Sequence, residues 1–171
     1  YTLSLHDALP ISISACSSAL NAVILGAEML KNDEADIVIA GGTEGLSKFH
    51  LNGFNTLMIL VHQRCRPFDE TRNGINLGEG AAYVVLQRKE DCNGAFKAYI
   101  SGYSNACDAF HQTATSEEGT GPVLAMSQAL KMSSLNTSDI DYVNAHGTGT
   151  PNNDLTESVA IKKVFGHDLP D

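Results

Sequence analysis

The sequence predicts a layered α/β fold with at least partly parallel strands, because strand-like and helix-like patterns alternate along it. The clearest strand is "ADIVIAGG", residues 35–42, a β-branched run closed by glycines, which is typical of a strand covered on both faces. The clearest helix is "SSALNAVILGAEMLKN", residues 17–32, with apolar residues at helical spacing. Its many small residues predict a central helix that is buried nearly all round.

The other elements of the first half are shorter. "ISISA", residues 11–15, alternates as a short strand does. Residues 43–73 are irregular, with one helical stretch around 53–61 and a turn at Arg66-Pro67.

The second half continues the alternation of strands and helices. Strand patterns occupy residues 81–87, "FKAYISGYSNA" at 96–106 and "YVNAH" at 142–146. Residues 121–135 form an amphipathic helix pattern in which Pro122 suits the first turn. A last helix, residues 152–166, is expected to be capped by Asn153 or Asp154 and to end at Gly166.

Composition excludes several classes of function. The 171 residues are 43% apolar and 18% charged, which is ordinary for a globular protein. A net charge of -9 argues against general attraction to nucleic acid or to an anionic membrane. Apolar runs fall short of the roughly 20 residues that cross a bilayer. We therefore predict a soluble protein.

The four cysteines are widely spaced and form no CxxC pair. This pattern indicates neither a structural zinc site nor a disulfide framework, and it fits reduced thiols in the cytoplasm. We expect Cys65, Cys92 and Cys107 to be unreactive.

The first residues, "YTLSLHDALPIS", carry no basic leader and no cleavage site of a secretion signal. They resemble the translated sequencing-adapter text found at the ends of some metagenomic fragments. We therefore treat Tyr1 to Pro10 as a non-native leader and exclude it from the predicted fold.

Two residues, Cys16 and His146, lie where a predicted strand ends and a helix follows, which is where α/β folds commonly place catalytic groups. A free cysteine more often packs as a small buried apolar residue. At the start of a helix, however, the unpaired N–H groups and the helix dipole favour a thiolate and can hold an oxyanion. A cysteine peptidase also pairs Cys with His, but the apolar helix behind Cys16 makes that reading the weaker one.

The turn "NAHGTGTPNND", residues 144–154, places two hydroxyl groups beside an imidazole. A histidine in an ordinary loop, with threonines that stabilise the turn, is the plainer alternative. We expect Asp154 and Glu157 to cap or anchor the helix that follows the turn. Asp69, Arg72 and Glu79 leave two roles open, that of acid–base groups and a structural one.

Four motifs together resemble one known family. They occur in the order and at about the spacing seen in β-ketoacyl-acyl-carrier-protein synthases, the elongating condensing enzymes of the thiolase fold, and the resemblance runs from Ile11 to the C-terminus. The motifs are "SACSSALNA" (14–22), "DIVIAGGTEGLS" (36–47), "CRPFDETRNGINLGEGAAYVVL" (65–86) and "YVNAHGTGTPNNDLTE" (142–157).

The resemblance implies roles for five residues. Cys16 matches the nucleophile that takes the acyl chain as a thioester. His146 matches the first of two histidines that assist decarboxylation of malonyl-carrier protein and stabilise the enolate. Thr148 and Thr150 match the hydroxyls that bind the phosphopantetheine arm, and Phe54 lies in the segment that lines the acyl pocket.

The resemblance also implies domain organisation and partners. Residues 11–110 would be the remainder of an N-terminal thiolase-like half, and residues 111–171 the start of the C-terminal half. The family's lysine, its second histidine and its C-terminal glycine-rich loop have no counterpart in the sequence, so we expect an internal fragment that is inactive by itself. The partners implied are an acyl carrier protein and a second copy, with no metal and no cofactor beyond the carrier's phosphopantetheine.

Two alternatives stay open within the same fold. A non-catalytic subunit of the chain-length-factor type would lack the nucleophile, so Cys16 argues against it. A relative of thiolase or ketoacyl synthase III that uses acyl-CoA is disfavoured, because "HGTGTPNND" is similar to the elongating branch. For the preferred family, the resemblance implies a decarboxylative Claisen condensation of an acyl thioester with malonyl-carrier protein. This reaction would serve fatty-acid, polyene or polyketide synthesis.

Overall fold

The computed structural model describes residues 14–94, 96–111, 114–166 and 169–170. The chain divides into two compact units. The first comprises Tyr1–Gly45 and Glu79–Ile100, and the second comprises Leu46–Gly78 and Ser101–Asp171. The predicted leader, the start of the "ISISA" strand at residues 11–13, and His167 lie outside the described residues.

The first unit packs one helix on a two-stranded sheet. A 3₁₀ turn at Ala15–Ser17 leads into helix α1, Ser18–Lys31, which precedes strand β1, Ile37–Glu44. Strand β2, Gly80–Gln87, pairs with β1, and a second 3₁₀ turn, Lys89–Asp91, follows it. Helix α1 and both strands confirm the sequence prediction to within three residues at each end.

Glycine at position 26 permits the close approach of α1 to the sheet. A Cβ atom on Gly26 would lie 2.9 Å from Cγ1 of Val38 and 3.0 Å from Cδ1 of Leu86. Arg88, which follows β2, links the sheet to the last turn of α1, because its Nη1 donates to the carbonyl oxygen of Leu30 at 3.1 Å. Side-chain hydrogen bonds to Asp36 and then Asp91 raise the pKa of Arg88.

The strand pair of the first unit is antiparallel, with Ile37 opposite Gln87 and Glu44 opposite Gly80. Two expectations about burial in this unit are wrong. Helix α1 is not buried all round, since Leu20 is 70% exposed, and β1 is not covered on both faces, since Ile39 is 71% exposed. Among the described residues of this unit, helix α1 packs on one face of the sheet formed by β1 and β2. The opposite faces of the helix and of the sheet are therefore exposed.

The second unit is helical. Helix α2 spans Lys48–Thr56, α3 spans Thr120–Ser133 and α4 spans Pro151–Phe165. A 3₁₀ turn at Thr137–Asp139 lies between α3 and α4. The core of the unit lies along α4, where Thr156, Ala160 and Phe165 are buried.

The order of helices in this unit follows the prediction, with shifted bounds. Helix α3 carries Pro122 in its first turn as expected, the turn at Arg66-Pro67 is present, and Gly166 ends α4. The cap of α4 is Thr150, not Asn153 or Asp154, and α2 begins five residues before the predicted stretch.

Three predicted strands are wrong where the structure describes them. Ala15 lies in a 3₁₀ turn, and residues 96–106 and 142–146 have no regular secondary structure. Their alternating composition suits a strand, but a strand also requires a neighbour that completes its backbone hydrogen bonds. No helix among the described residues combines the length and apolar character that crossing a membrane requires.

The packing of α1 predicts opposite effects for two glycine-to-alanine changes. We expect Gly26→Ala to lower the free energy of unfolding by about 1 kcal/mol, because overpacking against Val38 outweighs the gain in helix propensity. Gly53→Ala is the matched control, since a Cβ there meets open space. It should raise the free energy of unfolding by about 0.5 to 1 kcal/mol. Urea denaturation measures both, and stabilisation by Gly26→Ala would contradict the packing described.

Candidate active site

Cys16 lies on the 3₁₀ turn that begins α1, and it is exposed. Ala15 before it adopts a left-handed backbone with φ 51°. The turn is held by its own polar side chains: Asn21 Nδ2 donates to Ser14 Oγ at 2.8 Å and to the Ser17 carbonyl oxygen at 3.2 Å. The thiol is therefore presented at the start of the helix.

His146 opens a turn of five residues, 146–150, that leads into α4. The turn passes through Gly147 with φ 54° and Gly149 with φ 77°, both in the left-handed region that favours glycine. The Glu157 carboxylate accepts hydrogen bonds from the backbone N–H of His146 at 2.7 Å and of Gly147 at 2.9 Å. This two-oxygen contact fixes the backbone of the histidine relative to α4.

Asp154 fixes the rest of the turn from a buried position. Its side chain is 1% exposed. Its Oδ1 accepts from the N–H of Gly149 at 3.1 Å, and its Oδ2 accepts from the N–H of Phe68 at 2.7 Å. Nε of Arg72 lies 3.9 Å from Oδ2 and supplies the opposite charge that a buried carboxylate requires. Asp154 thus joins the histidine turn to the segment around Phe68.

The hydroxyl groups of Thr148 and Thr150 form a pair. Their Oγ1 atoms are 2.9 Å apart, so one hydroxyl donates to the other. The hydroxyl that accepts retains a hydrogen that can be donated to a further group. The pair is therefore able to donate a hydrogen bond to a polar ligand atom.

A second segment, residues 65–76, lies against the turn. The Cys65 thiol donates to the Thr148 carbonyl oxygen at 3.2 Å, and the Gly74 N–H donates to the Gly149 carbonyl oxygen at 2.9 Å. A Cβ atom on Gly149 would lie 2.5 Å from the Cys65 sulfur, so this contact requires glycine as well as a positive φ.

Asp69 and Arg72 shape this second segment. The hydroxyl and then the N–H of Thr71 hold the pKa of Asp69 below its ordinary value. Arg72 donates to the carbonyl oxygens of Asp69 at 3.1 Å and Pro151 at 3.3 Å. These contacts agree with a structural role for both residues.

The structure brings together three of the five predicted site residues, His146, Thr148 and Thr150, on one turn of the second unit. Phe54 lies half-buried on α2 in that unit, and Cys16 belongs to the first unit. Asp154 and Glu157 anchor the turn before α4 rather than capping the helix itself. Sequence reasoning missed the contact of Cys65 with the turn, because the two lie 83 residues apart.

Among the described residues, no three His, Cys, Asp or Glu side chains are grouped so that they could hold a metal ion. The histidine turn supplies an imidazole and paired hydroxyls, and the turn that carries Cys16 supplies a thiol.

Two family models match the chain in series. Residues 9–92 match the beta-ketoacyl synthase N-terminal domain, and residues 97–170 match the beta-ketoacyl synthase C-terminal domain. Together they take in almost all of the chain.

Relatives of known name agree with the family models. The chain is 41% identical over 157 residues to nodulation protein E of Rhizobium meliloti, covering 90% of this chain and 39% of the relative. It is 37% identical over 164 residues to 3-oxoacyl-[acyl-carrier-protein] synthase 2 of Staphylococcus aureus, covering 91% of this chain and 41% of the relative. The chain thus spans about two fifths of the length of these relatives.

A solved structure extends the agreement to the fold. The chain superposes with a TM-score of 0.82 and 34% identity on a chain of the ketosynthase ApeO in complex with its chain length factor ApeC, from Xenorhabdus doucetiae. The match covers 91% of this chain and 38% of the other. The predicted fold class, part of a thiolase-like layered α/β fold, is confirmed.

The buried position of Asp154 predicts a large effect on stability. We expect Asp154→Ala to lower the free energy of unfolding by about 3 kcal/mol or more, because it leaves two backbone N–H groups without their acceptor and removes the counter-charge of Arg72. Asp141→Ala, at an exposed carboxylate, is the control and should change stability by less than about 0.5 kcal/mol. Equal effects of the two substitutions in urea denaturation would contradict the role given to Asp154.

Proposed function

The chain belongs to the β-ketoacyl synthase family, and from that membership we propose that its residues serve an acyltransferase that condenses an acyl thioester with malonyl-acyl carrier protein. The reaction is a decarboxylative Claisen condensation, in fatty-acid, polyene or polyketide synthesis. The observation that carries the proposal is the exposed Cys16 on the turn that begins α1.

Cys16 is the proposed nucleophile. Its thiolate attacks the carbonyl carbon of the carrier-bound acyl chain, and the bond from that carbon to the carrier's sulfur breaks. The acyl group is then a thioester on Cys16, and the carrier leaves as a thiolate, which takes up a proton from water. A backbone N–H of the Cys16 turn is suited to stabilise the oxyanion of the tetrahedral intermediate.

His146 is proposed to act in the second half-reaction. Malonyl-carrier protein loses carbon dioxide, and the imidazole donates a hydrogen bond to the oxygen of the resulting enolate. The enolate carbon attacks the acyl thioester, a carbon–carbon bond forms, and the Cys16 thiolate is released. The contact of Glu157 with the backbone of His146 supports this role, since a hydrogen-bond donor to a developing charge acts best when it is fixed in advance.

Thr148 and Thr150 are proposed to bind the phosphopantetheine arm of the malonyl carrier, because their paired hydroxyls follow His146 directly. Phe54 is proposed to line the acyl pocket. The arm belongs to the substrate, so the proposed reaction requires no metal and no other cofactor. A second copy of the protein and an acyl carrier protein are the proposed partners, and the cytoplasm is the proposed location.

The proposal predicts selective chemistry at Cys16. When the 171-residue chain is treated with a limiting amount of iodoacetamide near neutral pH, Cys16 should be alkylated faster than Cys107, which is also exposed. Site-resolved mass spectrometry measures both rates in one sample. Equal rates at the two thiols would count against a prepared nucleophile at Cys16.

The division of roles predicts a separate effect for His146. In the protein expressed from the complete reading frame that contains these residues, His146→Ala should lower the release of carbon dioxide from malonyl-carrier protein by about 100-fold or more. It should leave acylation of Cys16 nearly unchanged. The 171-residue chain assayed beside it should give no condensation product, because the family's second histidine and its lysine have no counterpart in the sequence.

His62→Ala is the matched control, since this imidazole is exposed and outside the histidine turn. It should leave both half-reactions unchanged. If His146→Ala lost acylation and decarboxylation together, the role given to His146 would be wrong.

A further inference from the structure

We infer that Cys65 is a positioning residue for the hydroxyl pair of Thr148 and Thr150, and that it acts through the peptide group joining Thr148 to Gly149. The inference rests on the proposed function, in which this pair binds the substrate's arm.

The Thr148–Gly149 peptide group is held at both ends. Its carbonyl oxygen accepts from the Cys65 thiol at 3.2 Å, and its N–H donates to Oδ1 of Asp154 at 3.1 Å. Glycine has access to backbone conformations of both signs of φ, so the plane of a peptide next to glycine is free to turn over when nothing holds it. A thiol on one side and a carboxylate on the other fix the orientation that the structure shows.

The orientation of this peptide determines the geometry of the hydroxyl pair. Thr148 and Thr150 are separated by Gly149 alone, yet their Oγ1 atoms lie 2.9 Å apart. The N–H of Thr150 also donates to Oγ1 of Thr148, at 3.4 Å. Rotation of the intervening peptide would change the direction of the chain between the two threonines, and this would separate the hydroxyls.

Cys65 is itself held in place. Its N–H donates to Oδ1 of Asn76 at 2.7 Å, and Nδ2 of Asn76 donates to the carbonyl oxygens of Val61 at 2.9 Å and Gln63 at 3.0 Å. The sulfur lies where a side chain on Gly149 would project. The thiol is therefore both a hydrogen-bond donor to the turn and the surface against which the turn packs.

This role depends on the S–H donor and on the size of the side chain, not on thiol reactivity. A serine at position 65 keeps a hydrogen-bond donor on a shorter bond, whereas alanine removes the donor and leaves the Thr148 carbonyl without that partner. Comparison of the two variants therefore distinguishes the effect of the hydrogen bond from the effect of a smaller side chain.

The kinetic test uses the protein expressed from the complete reading frame and malonyl-pantetheine, a substrate that carries the arm without a carrier protein. We expect Cys65→Ala to raise KM for malonyl-pantetheine by about fivefold, the effect of losing one hydrogen bond, with kcat changed by less than about twofold. Cys65→Ser should restore KM to within about twofold of the original value. Cys92→Ala, at a thiol of the first unit, is the matched control and should change neither constant.

Thr148→Val in the same assay separates failure of the inference from failure of the proposed function. If Thr148→Val raises KM and Cys65→Ala does not, the positioning role of Cys65 is wrong and the arm-binding role of the threonines stands. If Thr148→Val leaves KM unchanged, the arm-binding role is wrong and the inference falls with it. An equal loss of activity in the alanine and serine variants would also overturn the inference, because the donor would then be irrelevant.

A spectroscopic test applies to the 171-residue chain itself. The difference Raman spectrum between the original chain and Cys65→Ser isolates the S–H stretching band of Cys65. We expect this band at a lower frequency than the band of Cys107, isolated in the same way with Cys107→Ser, because Cys65 donates to a carbonyl oxygen. Coincident bands would show that Cys65 makes no such hydrogen bond and would overturn the inference.

Discussion

The second unit depends on one buried carboxylate. Asp154 accepts hydrogen bonds from two segments that are distant in sequence from each other. One bond comes from the N–H of Phe68 and the other from the N–H of Gly149, and Arg72 compensates the charge of the carboxylate. A carboxylate is suited to this position because it accepts on both oxygens and carries no donor that would need a partner of its own. Without it, two backbone N–H groups next to the proposed site would have to find water or move apart.

Helix α4 supports the histidine turn through two of its acidic side chains. Asp154 and Glu157 are three residues apart, so they lie on the same face of the helix. Asp154 lies in the first turn of α4, where negative charge is favoured. The oxygens of these two carboxylates accept hydrogen bonds from the N–H groups of His146, Gly147 and Gly149. The helix thereby fixes the backbone that carries the imidazole and the hydroxyls.

Local patterns predicted the parts of this structure that depend on local interactions. Helices α1, α3 and α4 and strands β1 and β2 were predicted because the apolar period of each lies within its own segment. Residues 142–146 were predicted as a strand on the same kind of pattern, but a strand also needs a neighbour, which a single segment does not encode. The contact of Cys65 with Thr148 spans 83 positions and has no period at all, so composition and spacing carry no sign of it.

The two proposed half-reactions consequently depend on different kinds of interaction. The turn that carries Cys16 contains contacts between side chains that lie at most seven positions apart, from Ser14 to Asn21, and such a motif can be recognised in a short stretch of sequence. The turn that carries His146 is held by Glu157 and Asp154 from one helix and by Cys65 and Gly74 from a segment more than 70 residues away. A substitution at Ser14 or Asn21 therefore acts directly on the turn that carries Cys16. The histidine turn is sensitive to distant positions whose importance becomes visible only when the fold brings them together.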